Sequence, residues 1–533
     1  MTGQLNSQYK GRMLLSGLVL GSSLAFVSCS TDGGDAIDPD QLQKSIVILY
    51  ENDVHCDIDA YTKIAGFRDA IAQSDTAWAG AVSCGDYLSG GVCGAMSKGK
   101  YIIDVMRNVG YTAITLGNHE FDFGTPRMME LLQGFTSPVV CANFFEYGAT
   151  APIYTSYVIR SFGQKKVAFV GVCTPETMRS EAYAFFDENG KQLYDMKTAE
   201  VYSLVQQAVD KARGEGADYV VVLSHLGEQL KETKIYSHGL VAATSGIDVL
   251  LDGHSHAVIE HDFVKNKDGK EIIVSQTGTK FQNIGKLLIT KDGHISTTLI
   301  PTAEISYTNR QVTATIDSVK TLMAEVTARK VATTAYDLTI NGADGKRLVR
   351  SGETNLGNLV SDAFRVILDT DMGLVNGGGI RNSIPAGDIT FGQVFDVLSF
   401  DQPLCRIEAT GKQILAMLQR CTAKCPEEDG SFPQMSGIRF TVHTKSHTVS
   451  DVTVLDPTTG EYKPIDESKT YTICTPDYYA SGGFYSTLKD CKQLSNGPMV
   501  DRDCVVAYLE KTLGGTTGTA YEKPQGRVTI VND

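Results

Sequence analysis

At 533 residues the chain is too long for one ordinary core, so two domains are expected. Its composition, 42% hydrophobic and 21% charged with only 15 prolines, is that of a globular protein and excludes solenoid and low-complexity classes. A formal charge of -14 excludes a basic face for nucleic-acid polymers, and any anionic substrate must meet concentrated local positive charge from metal ions or arginines.

Residues 1–29 read as an export signal. Lys10 and Arg12 precede an apolar stretch from Met13 to Val27 that is too short to span a bilayer comfortably. It ends at Phe26-Val27-Ser28-Cys29, which resembles a bacterial lipobox, so lipidation at Cys29 is expected, with residues 30–42 as a polar tether. The expected location is the periplasm or cell surface, with membrane attachment only through that lipid. Lipidation of one of the 12 cysteines leaves an odd number, so at least one thiol is unpaired or bonds between chains.

From about residue 43 to 302, short apolar runs alternate with amphipathic stretches. Ile46–Tyr50, Ala79–Ser83, Thr112–Leu116, Val167–Val172, Tyr219–Leu223 and Ile247–Leu251 predict buried strands. Helical periods fall between them at Ile64–Ile71, Tyr101–Val109 and Val201–Ala212, so the block is an α/β domain. Residues 303–334 predict a connecting helix. Residues 335–533 predict a second, smaller α/β domain, with a helix over Asn355–Leu368, a strand at Gly373–Val375 and a turn at Asp456–Gly460.

Five polar motifs each follow a predicted strand of the first block. They are Asn52-Asp53-Val54-His55, Cys84-Gly85-Asp86, Gly117-Asn118-His119-Glu120-Phe121-Asp122, Ser224-His225 and Asp252-Gly253-His254-Ser255-His256. Loops at the carboxyl ends of strands are where an α/β sheet gathers its functional side chains. Carboxylate, imidazole and amide oxygen are the donors that divalent metals take, and five of the ten histidines fall here. Each motif alone fits a surface turn; all five in order at strand ends do not.

The ordered set resembles the calcineurin-like metallophosphoesterases. Asn376-Gly377-Gly378-Gly379-Ile380-Arg381 in the second block is similar to the nucleotide-pocket motif of the 5′-nucleotidase family. That resemblance implies an N-terminal four-layer αββα sandwich followed by a smaller C-terminal α/β domain that binds the substrate. It also implies two divalent ions (Zn, Mn or Co), one held by Asp53, His55, Asp86 and His256, the other by Asn118, His225 and His254, with Asp86 bridging. His119 and Asp122 take the place of the family's catalytic dyad. Arg350, Asn376, Gly378 and Arg381 correspond to phosphate and nucleotide contacts, and Phe432 and Phe484 to rings that stack on the base.

The expected reaction releases orthophosphate from nucleoside 5′-monophosphates, with nucleoside di- and triphosphates or UDP-sugars as further substrates. Two alternatives stand beside it: a 2′,3′-cyclic-nucleotide phosphodiesterase with 3′-nucleotidase activity, and a catalytically silent nucleotide-binding lipoprotein. The chain departs from the family in three places. The loop before Phe484 is two residues short, and Cys56 and Cys84 stand beside the metal motifs where glycine is usual.

Overall fold

The computed structural model describes residues 44–187, 190–229, 234–400, 402–480, 482–483 and 485–533, with backbone alone at 496–498. The expected export signal with Cys29, the expected tether and Phe484 lie outside the described residues.

Two sheets stack face to face in the first lobe. One runs Ile295–Pro301, Asn283–Ile289, Ser45–Glu51, Ala77–Ser83, Ala113–Ile114; the other runs Val258–Lys265, Glu271–Thr277, Val249–Leu251, Tyr219–His225, Lys165–Cys173, Tyr157–Phe162. The central strand Ser45–Glu51 is apolar at nearly every position because both its faces are covered. Ile48, Val82, Phe169, Val221 and Leu223 fill the space between the sheets. Ile64, Ile103 and Met106 bring the helices Tyr61–Gln73 and Lys100–Val109 onto the outside of the first sheet. Val205, Val209 and Leu240 do the same for Val201–Gly214 and Ser237–Ala243 on the second. The result is the four-layer αββα sandwich.

These sheets hold five strands beyond the six predicted. They are Tyr157–Phe162, Val258–Lys265, Glu271–Thr277, Asn283–Ile289 and Ile295–Pro301. Val258–Lys265 forms a sheet edge and is largely exposed, so it carries no apolar run for a periodicity argument to find.

The second lobe is also α/β. A five-stranded sheet runs Pro433–Ser436, Met372–Asn376, Thr470–Pro476, Pro403–Thr410, Lys492–Val500, and a four-stranded sheet lies beyond it. Helix Asn355–Ile367 packs its apolar face on the first of these, and the Thr354 hydroxyl caps it by accepting the Gly357 N–H at 3.0 Å. Between the lobes runs helix Arg310–Thr327, capped by Asn309. Its Val312, Ile316 and Val319 join the first lobe's core. Among the described residues no helix is long and apolar enough to cross a membrane, and no disulfide joins two of the described cysteines.

Candidate active site

All five polar motifs sit at the carboxyl ends of parallel strands, on one edge of the sandwich. Asp53 and His55 leave Ser45–Glu51, Asp86 leaves Ala77–Ser83, and Asn118 to Asp122 follow Ala113–Ile114. His225 closes Tyr219–His225, and His254 and His256 follow Val249–Leu251.

Ligand atoms of Asp53, His55, Asp86 and His256 lie within 4.8 Å of one another. His256 Nε2 is 3.2 Å from Asp53 Oδ1 and 3.0 Å from His55 Nε2. Asp86 stands at the centre. Its Oδ2 is 3.1 Å from His225 Nε2 and 3.9 Å from His55 Nε2, while its Oδ1 accepts the His119 N–H at 2.9 Å. Asn118 Oδ1 faces His254 Nδ1 at 2.9 Å, and the His254 and His225 rings are 5.4 Å apart. The seven predicted ligands therefore meet in one place.

The backbone there is costly. Asp53, His55, Asp86, His254 and His256 all adopt positive φ, a region that side-chain-bearing residues rarely occupy. Glycine is required beside them. A Cβ on Gly117 would fall 2.2 Å from Asp86 Oδ1 and 2.7 Å from His225 Nε2, and one on Gly253 would fall 2.7 Å from His225 Nδ1.

The donors fit divalent metal. His225 Nδ1 donates to the Cys84 carbonyl at 2.7 Å, a bond that carbonyl can only accept. His225 Nε2 is then left fully buried, without a hydrogen-bond partner, between the carboxylates of Asp86 and Asp53. Burial opposes charge on that ring, yet Asp86 and Asp53 push it up to about 10, the electrostatic signature of a cage that attracts cations. Asp86 is held well below the usual carboxylate range: burial works against this, but His225, His119 and His55 outweigh it.

His119 Nδ1 lies 2.9 Å and 3.1 Å from the two carboxylate oxygens of Asp122, which orients the ring with Nε2 outward. Despite burial, Asp122 and then Asp86 raise its proton affinity well above the ordinary histidine value. Two neighbours carried no signal in the sequence, since neither belongs to a motif. Glu181 has a carboxylate oxygen within 4.8 Å of both dyad members, and Asp477 reaches in from the second lobe. Burial, reinforced by Asp122, pushes Asp477 up to about 7.

The dyad opens into a cleft of about 460 Å³ between the lobes, and a pocket of about 310 Å³ adjoins it. Arg350, Asn376, Gly378 and Arg381 line the pocket, while Phe400, Gln402 and Tyr478 line both spaces. Arg350 Nε is buried without a partner, and burial together with Arg347 and Arg381 lowers its proton affinity. The pocket thus holds surplus positive charge. Asn376 shapes its wall: its Nδ2 donates to Gly430 O at 2.7 Å and its Oδ1 accepts the Tyr479 hydroxyl.

One expectation is corrected. Phe432 is 1% exposed and packs in the second lobe's core with Met417, Leu418 and Tyr485, so it presents no face to a base. The exposed rings on the cleft are Phe400 and Tyr478, 57% and 50% exposed. A lone Phe in Ser-Phe-Asp and the first of two adjacent tyrosines gave no reason to single them out. Cys56 and Cys84 are buried thiols. Cys56 Sγ contacts the Leu88 carbonyl at 3.2 Å, and Cys84 belongs to the core between the sheets.

Residues 330–489 match the family described as the 5′-nucleotidase C-terminal domain, and residues 68–275 match bacterial capsule synthesis protein PGA_cap. The trifunctional nucleotide phosphoesterase protein YfkN of Bacillus subtilis is 27% identical across 91% of the chain and 35% of its own length. The chain therefore spans about a third of that relative. A snake venom 5′-nucleotidase from Gloydius brevicauda is 24% identical across 91% of the chain and 88% of its own length. Among solved structures, a 5′-nucleotidase precursor from Thermus thermophilus superposes with a TM-score of 0.57 at 25% identity, covering 92% of this chain and 100% of that one.

Proposed function

We propose, for a chain that belongs to the 5′-nucleotidase family, that it hydrolyses nucleoside 5′-monophosphates to nucleoside and orthophosphate in the cleft between its lobes. One observation carries this reading: Asn118, His119 and Asp122, beside a cluster of carboxylates and imidazoles that could hold metal, line a cleft that shares Phe400, Gln402 and Tyr478 with a pocket lined by Arg350 and Arg381.

Asp53, His55, Asp86 and His256 would hold one divalent ion, and Asn118, His225 and His254 the other, with Asp86 shared. Bound there, such ions supply the charge that offsets a phosphoryl group and acidify water enough for attack near neutral pH. His119, fixed by Asp122, offers Nε2 to the phosphoryl oxygens or the leaving oxygen as charge develops. Arg350 and Arg381 supply the planar donors that phosphate oxygens accept. Phe400 and Tyr478 would flank the base. Flat rings stack on any nucleobase, so discrimination among bases should be weak.

Segment 303–334 serves in this reading as the connection about which the two halves of the site approach each other. The export signal places the enzyme outside the cytoplasm, anchored through Cys29. Cys29→Ala should shift it from the membrane to the soluble fraction; retention on the membrane would remove the anchor from the account.

Phosphate release from AMP, 3′-AMP and 2′,3′-cyclic AMP with added Mn²⁺, Co²⁺ or Zn²⁺ tests the reaction. Turnover of AMP above the other two supports the proposal. Preference for the cyclic or 3′-substrates moves the assignment to the phosphodiesterase alternative, and AMP binding without hydrolysis leaves a nucleotide-binding protein. Adding ADP, ATP and a UDP-sugar to the panel fixes the breadth of the substrate class.

A further inference from the structure

Glu120 lies inside the motif that supplies Asn118, His119 and Asp122, yet it points away from the cleft and is fully buried. Its carboxylate accepts four backbone N–H groups. Oε2 takes those of Asp86, at 2.8 Å, and Gly117; Oε1 takes those of Tyr87, at 2.7 Å, and Leu88, at 3.0 Å. The donors belong to two separate loops. Residues 84–88 carry Asp86, and residues 117–122 carry Asn118 and the dyad. Those loops also touch through the His119 N–H bond to Asp86 and the close passage of Gly117.

A buried carboxylate is expensive unless its acceptor capacity is filled and its charge is balanced. Four N–H donors fill the first requirement. For the second, no lysine or arginine among the described residues forms an ion pair with Glu120. Asp86, whose N–H Glu120 accepts, is one of the residues that would hold cations, and cations bound there would supply the counter-charge.

We propose that Glu120 is the positioning residue of the metal centre, a carboxylate clamp that locks the Asp86 and Asn118 loops in register and ties their order to cation binding. By reciprocity, a clamp that favours the loaded cage is itself favoured by loading. The role asks for a carboxylate in particular. The amide of a glutamine would set its NH₂ against two of the four N–H donors and leave both unsatisfied. An aspartate would be one methylene short of the second loop.

The inference rests on the two-cation reading, and titration calorimetry with Mn²⁺ separates its failure from that of the enzymatic assignment. Glu120→Gln should keep the wild-type circular dichroism spectrum in EDTA but bind Mn²⁺ about 10–100-fold more weakly, the usual loss for groups that orient metal ligands. AMP hydrolysis by the variant should recover partly at high Mn²⁺. Unchanged Mn²⁺ affinity, with or without a lowered melting temperature, would overturn the clamp, since a merely structural residue gives that pattern. If the variant does not fold, wild-type hydrogen exchange decides. The amides of Asp86, Tyr87, Leu88 and Gly117 should gain protection together when Mn²⁺ is added, and unchanged or unequal protection contradicts the proposal. Wild-type protein that binds Mn²⁺ yet leaves AMP intact would remove the nucleotidase reading and spare this one; wild-type protein that binds no Mn²⁺ would remove both.

Discussion

The two walls of the cleft are built on different terms. On the sandwich side, five candidate ligands sit at positive φ, glycines 117 and 253 leave no room for a methyl group, and Asp53 and Asp86 are buried. On the other side, Arg381, Phe400 and Tyr478 stand exposed on ordinary backbone, and a guanidinium-to-ring contact of 5.6 Å is the main tie between Arg381 and Phe400. A cage for cations tolerates little displacement, so its loops are over-determined and strained. A surface that stacks a base needs only a flat ring at the right height, and many positions can supply one. Substitutions on the first wall should therefore abolish chemistry, while those on the second should weaken binding.

The largest expected effect is on the sandwich side. His119→Ala should lower kcat for AMP by about 10²–10⁴-fold while bound metal and melting temperature stay near wild type. Metal analysis beside steady-state kinetics checks it, and a loss of metal equal to the loss of rate would make His119 a ligand instead. Next comes the arginine pair. Arg381→Ala removes charge-assisted bonds worth about 1.5–3 kcal/mol, so kcat/KM should fall by roughly 10–100-fold. An unchanged kcat/KM would take the phosphate contact away from this pocket.

The rings sharpen the contrast within the second lobe itself. Phe400→Ala and Tyr478→Ala should each raise KM for AMP by an amount equivalent to about 1–3 kcal/mol of stacking, with kcat nearly constant. Phe432→Ala should instead destabilise the lobe by about 3–5 kcal/mol, as for a buried aromatic. Thermal melts and kinetics on the three variants separate a binding ring from a core ring. A selective KM effect from Phe432→Ala would restore it as the base contact.

The last effect concerns the junction of the walls and is read on stability rather than on rate. Asp477 has an ordinary carboxylate value of 3.8 when unfolded and about 7 in the fold. A raised folded value means the native state holds the proton more tightly. Its contribution to stability is thus complete below about pH 4 and is lost as pH rises through 7. Asp477→Asn should flatten that part of the melting-temperature profile, and a profile parallel to wild type across the interval would show that the carboxyl ionises freely.

Legibility in the sequence follows the same divide. Strands such as Ser45–Glu51 are legible because both faces are buried and nearly every position is apolar, whereas the equally buried Glu271–Thr277 is apolar only at Ile272, Ile273 and Val274 and gives a shorter run. The edge strand Val258–Lys265 is hidden because its side chains meet solvent. The seven candidate ligands are legible because cations accept few residue types and the strand ends bring those types together. Glu120 is visible as part of a motif, but its N–H partners at Asp86, Tyr87 and Leu88 are not, since they lie 32 to 34 residues away and meet it only in three dimensions. Phe432 is misleading for the opposite reason. A phenylalanine in a loop sequence reads alike whether its ring faces inward or outward, and here the strand Pro433–Ser436 that follows carries it into the core.

Everything turns on whether Asp86 lies between two cations. Anomalous diffraction from crystals soaked in Mn²⁺ measures this directly. Two peaks should flank the Asp86 carboxylate, one beside His55 and His256, the other beside Asn118, His225 and His254. A single peak, or manganese bound away from Asp86, would contradict the account.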